Sequence, residues 1–334
     1  MKVVLPLPTG EVCGRAGDIM NNGGVGPVRR LKNAREIWRF LATQEAFHRA
    51  PLLTLFRLVT WYCKCWLQMP AVVKLPRWDV RMSFPNQSRG PRKFIFAFRE
   101  YYEPELAYLE RILSPGKVFI DVGANFGIYT LVASKLVGDT GKVLAFEPTA
   151  ESFGILRKNV ELNHCSNVSA FQVALAETRS KAWLNHEWDP ACNWLRKDPH
   201  SSSDGEEVQT VALDQLLEEC GVDRVDAIKI DAEGAEELIL RGAIRCIATQ
   251  NPIIIFEFNP PTASRLGLSP CGARDLLESL GYEFLVLNDC ARDNRASTPA
   301  YFNIVAIHKQ SFELFCGSVQ LFPRQLQIAR TEEP

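Results

Sequence analysis

The feature that most constrains this chain is an alternation of apolar runs and helical patterns that begins near residue 100. "KVFIDVG" (117–123), "KVLAFE" (142–147), "VSAFQVAL" (168–175), "DAIKID" (226–231) and "PIIIFEF" (252–258) read as strands. Helical spacing fills 127–137, 150–163, 234–243 and 270–280 between them, and strands near 282–287 and 302–307 close the series. Apolar strands separated by helices predict a doubly wound α/β fold, with a mostly parallel sheet covered on both faces. The last two strands lie close in sequence and predict an antiparallel pair at the edge. No internal repeat is visible.

The region before residue 100 has a different character. Residues 1–99 carry 17 Lys/Arg against 5 Asp/Glu, whereas residues 100–334 carry 21 against 34. Such a split suits an N-terminal element that meets an anionic surface or packs on the acidic remainder. Residues 1–30, rich in glycine, read as a flexible leader without the apolar core of a secretory signal. Residues 31–99 read as a basic, helical N-terminal extension, with helices at 31–48 and 52–67. The second, "LLTLFRLVTWYCKCWL", is apolar at 12 of 16 positions. Its polar members Thr54, Arg57, Thr60 and Lys64, with Gln68, fall within roughly 120° of one another at 100° per residue. Two basic residues near the middle disfavour a spanning helix. A helix lying in an anionic membrane interface and a helix buried against its own domain both remain open. Nothing in the charge pattern points to nucleic acid.

Ten cysteines are scattered without metal-ligand spacing, so free thiols and a cytoplasmic location, in solution or at the membrane surface, are expected, with no structural metal. Residues 186–206, with two prolines and "SSSDGEE", read as a mobile polar insertion in which His186 or His200 offers a rival base and Trp194 an aromatic contact.

The chemistry concentrates where strands end, since open α/β sheets bind ligands beyond the carboxyl ends of their strands. The first strand runs into Asp121 and then the turn Gly123-Ala124-Asn125-Phe126-Gly127. The dinucleotide fingerprint needs a further glycine in the middle, and a diphosphate is repelled by Asp121. A nicotinamide-linked dehydrogenase is therefore disfavoured. S-adenosylmethionine fits, having an ammonium, a sulfonium and no phosphate. Glu147 ends the second strand and can accept hydrogen bonds from both hydroxyls of a ribose.

Together, "FIDVGANFGIYTLVAS", "GKVLAFEPTAESFGILRKNVELN", "VQTVALDQLL" and "DAIKIDAEGAEELILRGA", with "YYEPEL" upstream, resemble the FkbM-type S-adenosylmethionine-dependent methyltransferases over residues 100–310. The resemblance implies a class I methyltransferase (Rossmann-like) fold and O-methylation of a sugar, a glycan or a secondary metabolite. It places Asp121, Gly123, Asn125 and Gly127 in the cofactor loop and Glu147 at the ribose. Ala232 stands where the family usually has an aliphatic residue. Residues 1–99 and the tail 311–334 lie outside the resemblance.

A second acidic group follows the fourth strand. Asp231 and Glu233 end "KIDAEG", and Glu257 ends the next strand in "FEFN". Three roles compete for them: general base toward the acceptor hydroxyl, ligands of a divalent cation, or pairing with Lys229 and capping of the next helix. The expected catalytic residues are Asp231 and Glu233, and no metal is assigned. Tyr101, Tyr102 and Glu257 are candidate substrate contacts. A rival reading makes the chain a membrane-surface binding protein whose α/β domain is a degenerate ligand sensor.

Overall fold

The computed structural model describes residues 34–85, 92–103, 105–185, 194–196, 205–287, 302–312, 315 and 326–328. The leader 1–30, His186, His200 and most of the 186–206 insertion lie outside the described residues. Among the described residues the strands are β1 (Ala71–Leu75), β2 (Val80–Phe84), β3 (Val118–Val122), β4 (Lys142–Phe146), β5 (Val168–Phe171), β6 (Ala174–Leu175), β7 (Ser180–Asn185), β8 (Trp194–Arg196), β9 (Gly205–Val211), β10 (Ala227–Ile230), β11 (Ile253–Phe258), β12 (Tyr282–Leu287), β13 (Phe302–His308) and β14 (Leu326–Ile328).

Eight of these form the main sheet, in the order β14-β12-β13-β11-β10-β3-β4-β5. The pairs among β5, β4, β3, β10 and β11 are all parallel. The expected antiparallel pair is β12 and β13, with β13 lodged between β11 and β12, and β14 adds the outermost strand. Strand order reverses between β3 and β10, the switch point at which this architecture opens a ligand crevice. Helices Ile128–Val137 and Ala150–Leu162 contribute to the core on one side with Leu131, Val132 and Ile155. Helices Leu213–Glu219, Glu236–Arg241 and Gly272–Ser279 contribute on the other with Leu216, Ile239 and Leu277. Both faces are thereby withdrawn from water, which explains why the central strands are apolar throughout.

Three local readings change. The apolar run 168–175 is split: β5 stays in the main sheet, while β6 pairs with β9 in a second sheet of order β6-β9-β7-β8. The 186–206 insertion contains β8, paired antiparallel with β7, and Gly205 already opens β9. The start of β9 was hidden because Gly205, Glu206 and Glu207 are at least partly exposed and lack the apolar continuity of a buried strand. Residues 31–99 hold more than helices. Ala34–Thr43 and Glu45–Arg49 are separate helices, and β1 and β2 form an antiparallel hairpin.

The hairpin belongs to the main core. Trp61, Val73, Leu75, Val80, Met82 and Phe84 share one buried cluster with Phe119 and Leu131. Its outer edge is closed by two asparagines of the Ala150–Leu162 helix and its cap. Ser83 N–H donates to Asn159 Oδ1 at 2.7 Å, and Arg81 N–H donates to Asn163 Oδ1 at 2.7 Å. Asn163 Nδ2 returns a bond to the Arg81 carbonyl at 2.6 Å. Asn159 Nδ2 also donates to the Phe126 carbonyl at 3.0 Å, tying the glycine turn to the same helix.

Cys63, Cys65, Cys165, Cys220 and Cys246 are free, but Cys271 is disulfide-bonded. That corrects the expectation of free thiols throughout, because pairing depends on tertiary proximity that spacing does not report. Asn159 is fully buried, so Asn159→Ala strands two backbone groups and should lower stability by about 2–3 kcal/mol, read as the midpoint of chemical denaturation.

Candidate active site

The turn after β3 is built by the backbone before any side chain acts. Gly123 and Ala124 N–H both donate to the Phe146 carbonyl, at 3.0 and 2.9 Å, which clamps the turn to the end of β4. Gly123 has φ +72°, and a Cβ there would overlap the Asp231 carbonyl oxygen. A Cβ at this position is thus excluded by the backbone just after β10. Gly127, at φ +90°, faces Leu156 and starts the helix Ile128–Val137. Asn125 sits at φ +50°, a left-handed conformation that asparagine tolerates better than most residues.

Asp121 is fully buried. Its Oδ2 accepts from Thr130 Oγ1 at 2.5 Å, whereas Oδ1 has no partner. Burial pushes its carboxyl upward, opposed by Lys229. Glu147 is also buried, and burial raises it as well. Its Oε2 accepts from Asn125 N–H at 2.9 Å, and Oε1 from Thr149 N–H at 3.0 Å and Thr149 Oγ1 at 2.6 Å. Asn125 Oδ1 has no partner. Asp121, Gly123, Asn125, Gly127 and Glu147 are therefore one assembly, and it leaves two buried acceptors without donors.

Lys229 lies directly opposite Asp121 in the register of β10 and β3. It is buried, donates to Asp231 Oδ2 at 3.1 Å and stands 4.5 Å from the centre of the Tyr129 ring. Burial alone would favour its neutral form, but Asp231, Asp121 and Glu103 outweigh that and raise it. Tyr129 Oη donates to Glu103 Oε2 at 3.3 Å. Burial, then Glu105, lifts Glu103 to about 8. Glu103 is a residue that sequence reasoning missed, although it lies inside the quoted "YYEPEL". Its neighbours Tyr101 and Tyr102, expected at the substrate, pack instead on the apolar cluster around Phe94 and Phe98. Tyr101 also carries the Arg49 guanidinium over its ring at 5.0 Å.

The second acidic group also assembles, by a different route from the expected strand alternation. β10 stops at Ile230, and Glu233 turns back at φ +50°. The next residue, Gly234, has φ +102° and touches the backbone of Thr262 and Ala263 too closely for any Cβ. Carboxylate oxygens of Asp231, Glu233 and Glu257 consequently lie within 4.8 Å of one another, an arrangement that could hold a cation. Burial, with Asp231, Glu233 and Glu236 adding repulsion, pushes Glu257 far above the usual carboxyl range. Buried Glu236 accepts from Ala232 and Gly234 N–H at 3.1 and 3.2 Å, which holds the turn, and burial lifts it to about 7. A small cleft of about 20 Å³ adjoins the group, lined by Glu236, Glu257, Asn259 and Ser269 among others. The arrangement sets three carboxyls side by side, which could serve proton transfer or hold a cation.

Residues 121–284 match the methyltransferase FkbM domain. The chain is 28% identical over 142 residues to Methyltransferase 1 of Beauveria bassiana, covering 37% of this chain and 57% of that protein. It is 25% identical over 227 residues to the methyltransferase sdnD of Sordaria araneosa, covering 59% and 83%. It is 27% identical over 139 residues to the hexuronic acid methyltransferase AglP of Haloferax volcanii, covering 41% and 54%. The chain thus spans little more than half the length of the first and third of these relatives.

The raised carboxyl of Glu236 has a stability signature. Its folded-state value of about 7 exceeds the ordinary carboxyl value of 4.5, so the folded state binds its proton more tightly. Its contribution is complete below pH 4.5 and is lost as pH rises through about 7. Glu236→Gln keeps the acceptor oxygen and removes the charge. It should raise stability at pH 8 by roughly 1–3 kcal/mol and change little at pH 4.5, measured by thermal melts across that range.

Proposed function

Residues 121–284 belong to the methyltransferase FkbM domain family, and from that premise we propose that this chain is an S-adenosylmethionine-dependent O-methyltransferase acting on a hydroxyl of a sugar, a glycan or a secondary metabolite. The catalytic part is residues 100–310, and residues 31–99 are an extension packed on it. The observation that carries the reading is the donor deficit at the turn. Asp121 Oδ1 and Asn125 Oδ1 are buried acceptors without donors, beside a third carboxyl, Glu147. A ligand with an ammonium, a sulfonium and ribose hydroxyls supplies the missing hydrogens and positive charge, whereas a diphosphate supplies neither. Glu147 already accepts three bonds and has lone-pair capacity left for a ribose.

When bound, the cofactor supplies a methyl group activated by its sulfonium. Asp121, Asn125 and Glu147 would hold and orient the cofactor at the carboxyl ends of β3 and β4. The acceptor enters over β10 and β11, where Asp231 or Glu233 takes the proton of the reacting hydroxyl. Lys229 orients Asp231, and Glu257, beside Asp231 and Glu233, contacts the acceptor. Alignment of oxygen, methyl and sulfur accounts for much of the rate. The relative AglP, named for a hexuronic acid, supports a sugar as the acceptor class.

Isothermal titration with S-adenosylhomocysteine should show micromolar binding, and its absence defeats the reading. Glu147→Ala should weaken that binding by about tenfold or more. Glu233→Ala should leave it within about twofold while lowering methyl transfer to a glycan pool by roughly 10²-fold or more. An unchanged transfer rate would remove Glu233 as the base.

A further inference from the structure

The helix Pro51–Trp66 is built inside out. A helix on a water-soluble surface turns its apolar arc inward and its polar arc to solvent. Here the polar arc faces the protein. Thr54 is fully buried and donates from Oγ1 to the Ala46 carbonyl at 3.0 Å. Arg57 Nη1 donates to the Ala97 carbonyl at 3.2 Å, and Lys64 Nζ to the Pro70 carbonyl at 3.5 Å. Trp61, on the same side, is buried against Phe96. The opposite arc is apolar and uncovered. Leu52 is 81% exposed, Phe56 67%, Val59 61% and Trp66 83%. Their spacing of four, three and seven residues puts them on one stripe, and exposed Leu67, Met69 and Val72 extend it toward the hairpin.

We propose that this stripe is a docking face for an anionic lipid bilayer. The occupant is chosen by charge. From residue 46 to residue 78 the sequence has five Lys/Arg and no Asp or Glu. Arg49 and Arg77 are paired with Glu45 and Glu110, while Arg57 and Lys64 give hydrogens to neutral carbonyls and Lys74 is exposed. A second copy docked through the same face would set these cations against themselves across a two-fold axis. The chain's own residues 1–33, with five Lys/Arg against two Asp/Glu, carry the same sign. Anionic headgroups are complementary to them, and the acyl boundary takes up Leu52, Phe56 and Val59 with Trp66 at interfacial depth. The helix lies in the interface rather than crossing it: its 16 residues are too short, its inner face is packed on the protein, and among the described residues no helix is long and apolar enough to span.

The proposal rests on observations separate from the cofactor site, so its test is independent of methyl transfer. The full chain is sedimented with vesicles of phosphatidylcholine alone and with 30% phosphatidylserine, about 30 mole per cent being enough to make the surface strongly anionic. Binding to the anionic vesicles should exceed binding to the neutral ones by about tenfold and fall as salt is raised. Phe56→Ser with Trp66→Ser should cut it by about tenfold or more with an unchanged melting temperature, since both side chains are exposed. Lys74→Glu, on the same exposed strand face as Val72, should sharply reduce the preference for phosphatidylserine. Absence of vesicle binding, or binding indifferent to the two apolar substitutions, overturns the proposal. So does a concentration-dependent dimer that the same two substitutions dissolve, which would assign the stripe to a second copy.

Discussion

One buried cation organises the centre of this molecule. Lys229 sits in the middle of β10, between β3 and β11, where the other strand residues are apolar. A lone charge there would be prohibitive, so it must be matched on every side. Asp231 takes its hydrogen bond, Asp121 faces it across the strand pair, Tyr129 offers its ring, and Glu103 lies nearby, just before the helix Leu106–Ile112. The two acidic groups that the sequence shows as separate motifs are thereby joined through one ammonium. The two groups thus share an electrostatic centre, which the proposed transfer between a cofactor and an acceptor would use.

The backbone around that centre is equally specified. Gly123 is glycine because the Asp231 carbonyl occupies the space of a Cβ, and Gly234 because Thr262 and Ala263 do. Each turn is shaped by the end of another strand, so the ends of β3, β10 and β11 are mutually dependent. Non-glycine residues with positive φ, Asn125 and Glu233, stand one in each turn. Such conformations are costly and persist where surroundings over-determine them, which is characteristic of functional sites. The amides of Glu236's turn and of the Asn125 turn are held by carboxylates rather than by ligand, so both loops are preorganised.

The N-terminal part is integrated in one way and unfinished in another. Its hairpin shares the main core and is edge-paired by Asn159 and Asn163, as an internal part of the fold would be. Its longest described helix nevertheless leaves large apolar side chains in water while spending polar ones on inward contacts. Of the two alternatives posed by the helix pattern, the domain contact is made by the polar arc, and the interface is what we propose for the apolar one.

Much of the architecture is legible in the residues alone, because hydrophobic periodicity and turn chemistry are local. The strands β3, β4, β10 and β11, the helices after them, and the clustering of Asp121, Asn125 and Glu147 follow from apolar runs ending in acids and glycines. The sequence puts Asp231 and Glu233 close together, but it is the left-handed turn after β10 ends at Ile230 that brings them to Glu257. Only the tertiary structure decided that Glu103, distant in sequence, reaches Lys229, that Tyr101 and Tyr102 serve packing, that β13 lies inside the sheet, and which arc of the Pro51–Trp66 helix faces outward. Each of these depends on contacts between segments far apart in the chain, and the energy of such a contact appears in no single window of sequence.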